Sequence, residues 1–269
     1  PPARTLAALA LKVEREQRVT VSIGLSYNKS LAKIASDLDK PRGFAVLGEA
    51  DAPGFLATQS VGLIWGVGKA LRARLEGDGI RLIGDLLAFD EQTLLLRYGA
   101  MGRRLHRFAR GQDDRRIDPE APTKSISAET TFNRDLSRLE DLKLELWPLA
   151  ETVARRMKKA NLAGRAVVLK LKTRDFKLIS RQRRLPDPTQ LAALIFQAGY
   201  ALLEREADGR AFRLIGVGCD DLVDGALADP PDLVDPARDR AARVERAIDQ
   251  VREKLGKDAI GKGLGLKKS

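Results

Sequence analysis

Between Lys124 and Cys219 the apolar residues switch repeatedly between the strand period of two and the helix period of 3.6. That order narrows the possible folds more than any other feature of the chain. Lys124 to Phe132 alternates as a strand, and Leu139, Leu142, Leu146, Val153 and Met157 then share one face of a long helix. Arg165 to Arg174 and Lys177 to Leu185 alternate again, as two strands joined near Asp175. Leu191, Leu194, Ile195, Ala198 and Leu202 outline a second helix, and Phe212 to Cys219 a last strand. The resulting order is β-α-β-β-α-β.

Elements in that order form the ferredoxin-like split arrangement, an antiparallel sheet with two helices on one face. The residues before it have a different texture. Val19 to Leu25 alternates β-branched and small residues like a strand, and Asn28 can cap a helix to about Leu38. Lys40-Pro41-Arg42-Gly43 breaks that helix, and Phe44 to Leu47 is a short strand. This α/β opening is too short to be a domain alone. From Val61 short helices are punctuated by Gly66, Gly68, Gly77, Gly79, Gly84, Gly99, Gly102 and Gly111, with no strand pattern among them. Gln112 to Lys124, rich in Asp, Arg and Pro, reads as an extended tether. Beyond the split domain, Asp229-Pro230-Pro231-Asp232 reads as a linker and Asp235 as the cap of a charged helix from Pro236 to about Leu255. Gly261 to Gly265 reads as a loose tail. The expected division of this α+β chain is 1–60, 61–111, a tether at 112–123, 124–224, and 225–269.

Composition limits the chemistry. Hydrophobic residues make up 43% of the 269, enough for real cores, and no run of 18 apolar residues exists to form a membrane-spanning helix. One cysteine, Cys219, excludes a disulfide framework and a cysteine zinc site, and it falls in a strand of core-like residues. One histidine, His106, leaves no His cluster for a metal and argues against a Ser/His or Cys/His triad. The 48 Lys+Arg against 37 Asp+Glu give a net charge of +11, which points to a polyanion: nucleic acid first, an acidic membrane surface second. A merely soluble basic protein is the alternative. With one thiol and such a partner, the cytoplasm is the expected compartment. Pro1-Pro2-Ala3 leads straight into an amphipathic helix without an initiator Met, so the opening reads as the middle of a longer chain.

Two surfaces are candidates for that polyanion. Gly66-Val67-Gly68-Lys69 lies before a helix containing Leu71 and Leu75. Two glycines there let backbone N–H groups turn outward, the helix start adds positive potential, and Lys69 stands close by. This is the helix-hairpin-helix pattern, a grip on the sugar-phosphate backbone. An ordinary glycine-rich turn is the other reading; recurrence of the pattern at Gly79 to Gly84 and at Gly99-Ala100-Met101-Gly102-Arg103-Arg104 favours the grip. In the split domain Lys170, Lys172 and Arg174 alternate with apolar residues, and the next strand adds Lys177, Arg181 and Arg183, a basic open sheet face that could be a phosphate rail, or simply a solvated face that needs charges. Because that face carries Lys and Arg rather than aromatics, it suits backbone contact better than base stacking. The acidic pairs are not grouped: Asp90-Glu91 looks like a helix cap, Asp113-Asp114 lies in the tether and Asp220-Asp221 follows the last strand. No catalytic or metal-ligating residue is expected from them.

Ser22-Ile23-Gly24-Leu25-Ser26-Tyr27-Asn28-Lys29-Ser30-Leu31-Ala32-Lys33-Ile34-Ala35-Ser36, followed by Lys40-Pro41-Arg42-Gly43, closely resembles the end of the palm in Y-family translesion DNA polymerases, the bacterial polymerase IV branch above all. The likeness continues through Ile64-Trp65-Gly66-Val67-Gly68 and Gly79 to Gly84, the thumb, and through Lys124-Ser125-Ile126-Ser127-Ala128-Glu129-Thr130-Thr131-Phe132, which opens the little finger. The resemblance implies an α+β chain of palm remnant, helix-hairpin-helix thumb and ferredoxin-like little finger. It assigns Lys40 to the triphosphate of an incoming deoxynucleotide and the other two surfaces to primer–template DNA. It also implies Mg²⁺ as cofactor and nucleotidyl transfer in DNA repair and replication of damaged template as the parent's activity. The family's metal-binding Asp and its Asp-Glu pair precede the segment that begins here, so this chain alone is expected to be inactive. Where the family has Pro before Gly-Val-Gly, this chain has Trp65. A sliding-clamp peptide is not evident; Asp232-Leu233-Val234 is a faint echo of one. A non-catalytic DNA-binding relative and an RNA-binding ferredoxin-like module are the rival readings.

Overall fold

The computed structural model describes residues 1–230, 236–256 and 259–260. The chain divides into two compact units, Pro1–Glu120 and Ala121 onward.

In the first unit, helix α1 (Pro2–Gln17) carries proline in its first turn, where no intrahelical bond needs its missing N–H. Strands β1 (Ile23–Ser26) and β2 (Phe44–Leu47) pair in parallel, and parallel strands need a crossover. Helix α2 (Lys29–Leu38) supplies it. The Asn28 side chain accepts from Leu31 N at 3.0 Å and starts that helix, while Leu31 and Ala35 bury one face. Val19 is exposed, and the first strand begins only at Ile23. Helix α3 (Ala52–Ala57), a 3₁₀ turn at Val61–Leu63, α4 (Lys69–Gly77), a 3₁₀ segment at Ile83–Ala88, α5 (Glu91–Tyr98) and α6 (Ala100–Ala109) follow. Leu56, Val61, Leu75, Ile83, Leu94 and Leu105 join Leu31 and Ala35 in a single core. The α/β opening and the helices therefore share one interior.

Two of the recurring glycines serve that interior rather than a phosphate. A Cβ at Gly102 would lie 1.8 Å from the Leu94 carbonyl oxygen, so this position lets α6 cross α5 at backbone distance. A Cβ at Gly84 would lie 2.7 Å from the Ala57 carbonyl oxygen. The recurrence that favoured a repeated hairpin is thus largely a packing signal.

The expected tether is not open at its start. Tyr27 Oη and Asn28 Nδ2 donate to Gly111 O at 2.9 and 2.8 Å. Asp113 accepts from Ser30 N at 3.1 Å and from Arg115 Nε at 2.7 Å, and its side chain is only 3% exposed. Lys29 Nζ donates to Arg116 O at 3.2 Å. Residues 112–116 are therefore strapped to the start of α2, and the chain is open only from Ile117. Trypsin should cut first after Lys124, which is exposed and outside any strand, rather than after Arg115. Mass spectrometry of the early fragments checks this; a first cut after Arg115 would show that the strap does not hold.

The second unit contains β3 (Ser125–Leu136), α7 (Leu139–Lys159), β4 (Leu162–Thr173), β5 (Leu178–Thr189), α8 (Ala192–Glu206) and β6 (Phe212–Asp224). The six elements come in the expected order, and the sheet is antiparallel throughout, ordered β3-β6-β4-β5. Each helical crossover skips one strand, which keeps the split arrangement. The ferredoxin order puts the first and third strands in the middle; here the second and fourth are central. Composition explains the difference. Strand β5 carries Pro186 and Pro188, which cannot donate to a ladder on both sides, and β3 alternates exposed with half-buried residues, so both suit edges. Strand β6 is buried almost continuously from Phe212 to Cys219 and suits the centre. Leu142, Leu146, Val153 and Met157 of α7 meet Ile195 and Leu203 of α8 over Val167, Leu171 and Ile215. Trp147 stands edge-on to Phe196, with ring centroids 5.2 Å apart. Helix α9 (Pro236–Leu255) is tied to this unit through Glu245, which accepts from Lys158 Nζ at 2.7 Å and from Ala192 N at 2.8 Å. The expected linker residues Pro231 and Asp232, the cap Asp235, the clamp-like Asp232-Leu233-Val234 and the tail Gly261 to Gly265 lie outside the described residues. Among the described residues no helix is long and apolar enough to cross a membrane.

Candidate nucleic-acid interface

The hairpin of the first unit is built on one buried anchor. Val67 is packed into the core, and its N–H bonds to Ile64 O at 2.9 Å, while Trp65, Gly66, Gly68 and Lys69 on either side are exposed. Gly66 has φ +99°, a conformation that glycine adopts without a Cβ clash. Gly68 is the cap residue of α4, and Lys69 opens the helix. Among the described residues the N–H groups of Gly66 and Gly68 have no acceptor, so two exposed residues with unpartnered donors sit beside a lysine and a helix start.

The sheet of the second unit leaves one face uncovered by α7 and α8. In antiparallel pairing, residues directly opposite share a face. Lys170 lies opposite Ser180 and Gly216, and Lys172 opposite Leu178 and Leu214, so both lysines stand on the open face as expected. Arg181 and Arg183 do not. They lie opposite Leu169 and Val167, on the helix-covered side, and Arg181 Nε is bonded to Glu206 of α8 at 2.7 Å. Their place on the open face is taken by Gln182 and Arg184. Arg174 and Lys177 are exposed in the turn between β4 and β5. Acidic groups also reach this face: Glu129 pairs with Lys170 at 2.6 Å, and Asp221 with Arg184 at 3.1 Å. In its middle, Gly216 and Gly218 lie opposite Glu129 and Ser127. Together with Ser125 and Ser180 they line a shallow trough of small residues that a backbone could approach closely. An exposed aromatic is present after all. Phe176 sits in the β4–β5 turn at φ +64°, with Lys172 Nζ and Arg213 Cζ 5.1 and 4.2 Å from its ring centre.

Lys40 is exposed, and its Nζ bonds Asp37 Oδ1 at 2.5 Å. Hydrogen bonds from Lys33 and then Lys40 hold the Asp37 carboxyl below its ordinary pKa. Asp90 caps α5 by accepting from Thr93 N at 2.7 Å, as expected. Glu91 pairs with Arg103 at 2.9 Å and lies 3.9 Å from His106 Nδ1. Hydrogen bonds from Arg115 press the Asp113 carboxyl well below the usual carboxylate range. Asp220 and Asp221 lie inside β6 rather than after it. Cys219 is buried, and desolvation pushes its thiol pKa up to about 12, which removes it as a nucleophile. Among the described residues no group of three His, Cys, Asp or Glu side chains is placed to hold a metal ion.

A family profile described as the impB/mucB/samB family C-terminal domain matches residues 123–230, the whole of the split sheet and its helices. A curated relative from Mesorhizobium japonicum, named DNA polymerase IV 1, is 57% identical over 263 residues, 98% of this chain and 60% of the relative. The chain belongs to the DNA polymerase IV branch of the Y-family. A DNA polymerase IV from Brucella melitensis is 55% identical over 268 residues, 100% of this chain and 60% of the relative. The chain thus spans about 60% of the length of these polymerase IV relatives. A solved Y-family DNA polymerase chimera shares the fold with a TM-score of 0.62 at 21% identity, over 82% of this chain and 64% of the chimera. Arg184 and Phe176 are surface groups that the sequence did not single out, and Arg104 stood there only as the end of the Gly99–Arg104 recurrence, with nothing to place it beside Trp65.

Proposed function

We propose that residues 1–269 hold primer–template DNA by its sugar-phosphate backbone, as the palm remnant, thumb and little finger of a translesion DNA polymerase. Polymerase IV membership and the two donor-rich surfaces support this reading, and the trough flanked by Lys170, Lys172 and Arg184 carries it. Lysines around small residues meet phosphates well and read no base edges. Lys40 is the candidate contact for the triphosphate of an incoming nucleotide. When a divalent metal is bound in such an enzyme, it activates the attacking oxygen and stabilises the leaving pyrophosphate. The described carboxylates do not fit that ion, because no three of them are grouped to hold it, so no step is assigned to it.

The test is a titration of the purified chain with fluorescently labelled primer–template. Affinity should fall steeply with salt, with a log–log slope of about −0.9 per phosphate neutralised. Replacing Lys172 and Arg184 by alanine should weaken binding to all sequences alike and flatten the slope by about one for each phosphate no longer neutralised. Arg183→Ala, on the other face, should leave both unchanged. Salt-independent binding, strong preference for one duplex sequence, or tighter binding to single-stranded RNA would overturn the reading.

A further inference from the structure

We propose that Trp65 and Arg104 form a further, preformed contact for the sugar-phosphate backbone of duplex DNA beside the Gly66–Gly68 hairpin. The inference rests on the reading above and adds to it a side-chain pair that the hairpin pattern does not contain. Trp65 is 63% exposed, a large apolar surface to leave in water on an otherwise polar hairpin. It is nevertheless held. The Arg104 and Arg115 guanidinium carbons each stand 5.5 Å from its ring centre, and they stand 5.7 and 5.5 Å from that of Phe108. Arg115 is fixed in turn by both oxygens of Asp113 and by the Ser30 hydroxyl at 3.0 Å.

The two arginines differ in what remains free. Arg115 is neutralised by Asp113, whereas Arg104 has no acidic partner among the described residues. Its terminal nitrogens lie 3.8 Å from the point where a Gly66 Cβ would stand, next to the unpartnered hairpin N–H groups. Arg104 comes from α6 and thereby adds a planar fork of donors beside the hairpin. Trp65, one residue before the glycines, offers an indole whose position is already fixed, so little side-chain entropy is lost when a deoxyribose packs on it. A phosphate held by the hairpin amides and Arg104 would set the neighbouring sugar against that ring. The ligand is therefore a duplex strand rather than a free anion.

The chain contains two tryptophans, and Trp147 is buried, so acrylamide quenching of the intact protein reads Trp65. Saturating duplex primer–template should lower the quenching slope at least about twofold, through burial of the ring. Arg104→Gln should weaken DNA binding about tenfold, as removal of a charge-assisted hydrogen bond does, and reduce the salt slope by about one. Trp65→Ala should weaken binding several-fold with the salt slope unchanged. Binding of DNA with unchanged quenching and unchanged Arg104→Gln affinity would overturn this contact and leave the backbone-binding reading standing. No DNA binding at all would overturn both. Equal protection of Trp65 by millimolar inorganic phosphate would reduce the site to an anion pocket and overturn the duplex contact.

Discussion

Replacing Gly102 by alanine should cost the first unit at least about 3 kcal/mol, in the range reserved for buried steric faults, while the second unit melts as before. The added Cβ would stand 1.8 Å from the Leu94 carbonyl oxygen and 2.2 Å from its carbon, so no rotamer change can relieve it. Helix α6 must move away from α5 as a body, and both helices carry core residues, Leu94 and Leu105, that are fully buried. The second unit has its own core around Leu146, Ile195 and Phe212 and shares none of this strain. Hydrogen exchange read by mass spectrometry separates the two. Amides at 91–109 should lose protection, and amides at 162–173 should keep it. Gly99→Ala is the contrasting case: nothing crowds its Cβ, and the cost is confined to φ +63°. Wild-type stability of the Gly102 variant would mean that the α5–α6 crossing is looser than described.

The periods of two and 3.6 made the second unit legible because each of its elements buries one face, and burial is what writes a period into a sequence. Strand ends were less legible. Strand β5 runs on past Arg184 through a register shift at Pro186 and Pro188 to Thr189, and β6 pairs on from Asp220 to Asp224, where no alternation of buried apolar residues marks the strand. Strand order left a weaker trace, in the prolines of β5 and the continuous burial of β6, which together set edge and centre. The strap of 112–116 left none. Its composition is that of a loop, and the bonds that hold it run from Asp113 and Gly111 back to residues more than 80 positions earlier.

The surface residues divide in the same way. Lys170 and Lys172 were legible because their own strand alternates cleanly. Arg181 and Arg183 were placed on the wrong face by a slip of one residue at the turn. Taking Arg174 opposite Lys177 sets the odd-numbered residues of β5 on the open face, whereas Lys172 pairs with Leu178 and puts the even-numbered ones there. The hairpin glycines Gly66 and Gly68 could be read locally. Arg104 could not, because it reaches Gly66 from another helix, and only the fold brings the two together.

Given primed template, four deoxynucleoside triphosphates and Mg²⁺, the 269-residue chain by itself should incorporate nothing above a no-protein control, while a full-length polymerase IV relative extends the same primer. Joining a 3′ hydroxyl to an α-phosphate calls for hard cations held by several carboxylate oxygens fixed beside one another. Most members of the acidic pairs read from the sequence have partners of their own. Asp90 caps a helix, Glu91 holds Arg103, and Asp113 holds Arg115. Asp114 pairs with Arg107, and Asp221 with Arg184. Those near one another in sequence are held by different partners, and among the described residues no group of three is placed to hold a metal ion. Lys40 can meet a triphosphate, but positive charge places no metal and aligns no nucleophile. DNA binding and chemistry should therefore separate cleanly in this chain, with salt-sensitive retention of primer–template and no extension. The measurement is a denaturing gel of labelled primer across a range of Mg²⁺ and Mn²⁺ concentrations. Extension that disappears on replacing Asp90 and Glu91 by alanine would locate an active site on α5 and refute the assignment of this chain to DNA holding alone.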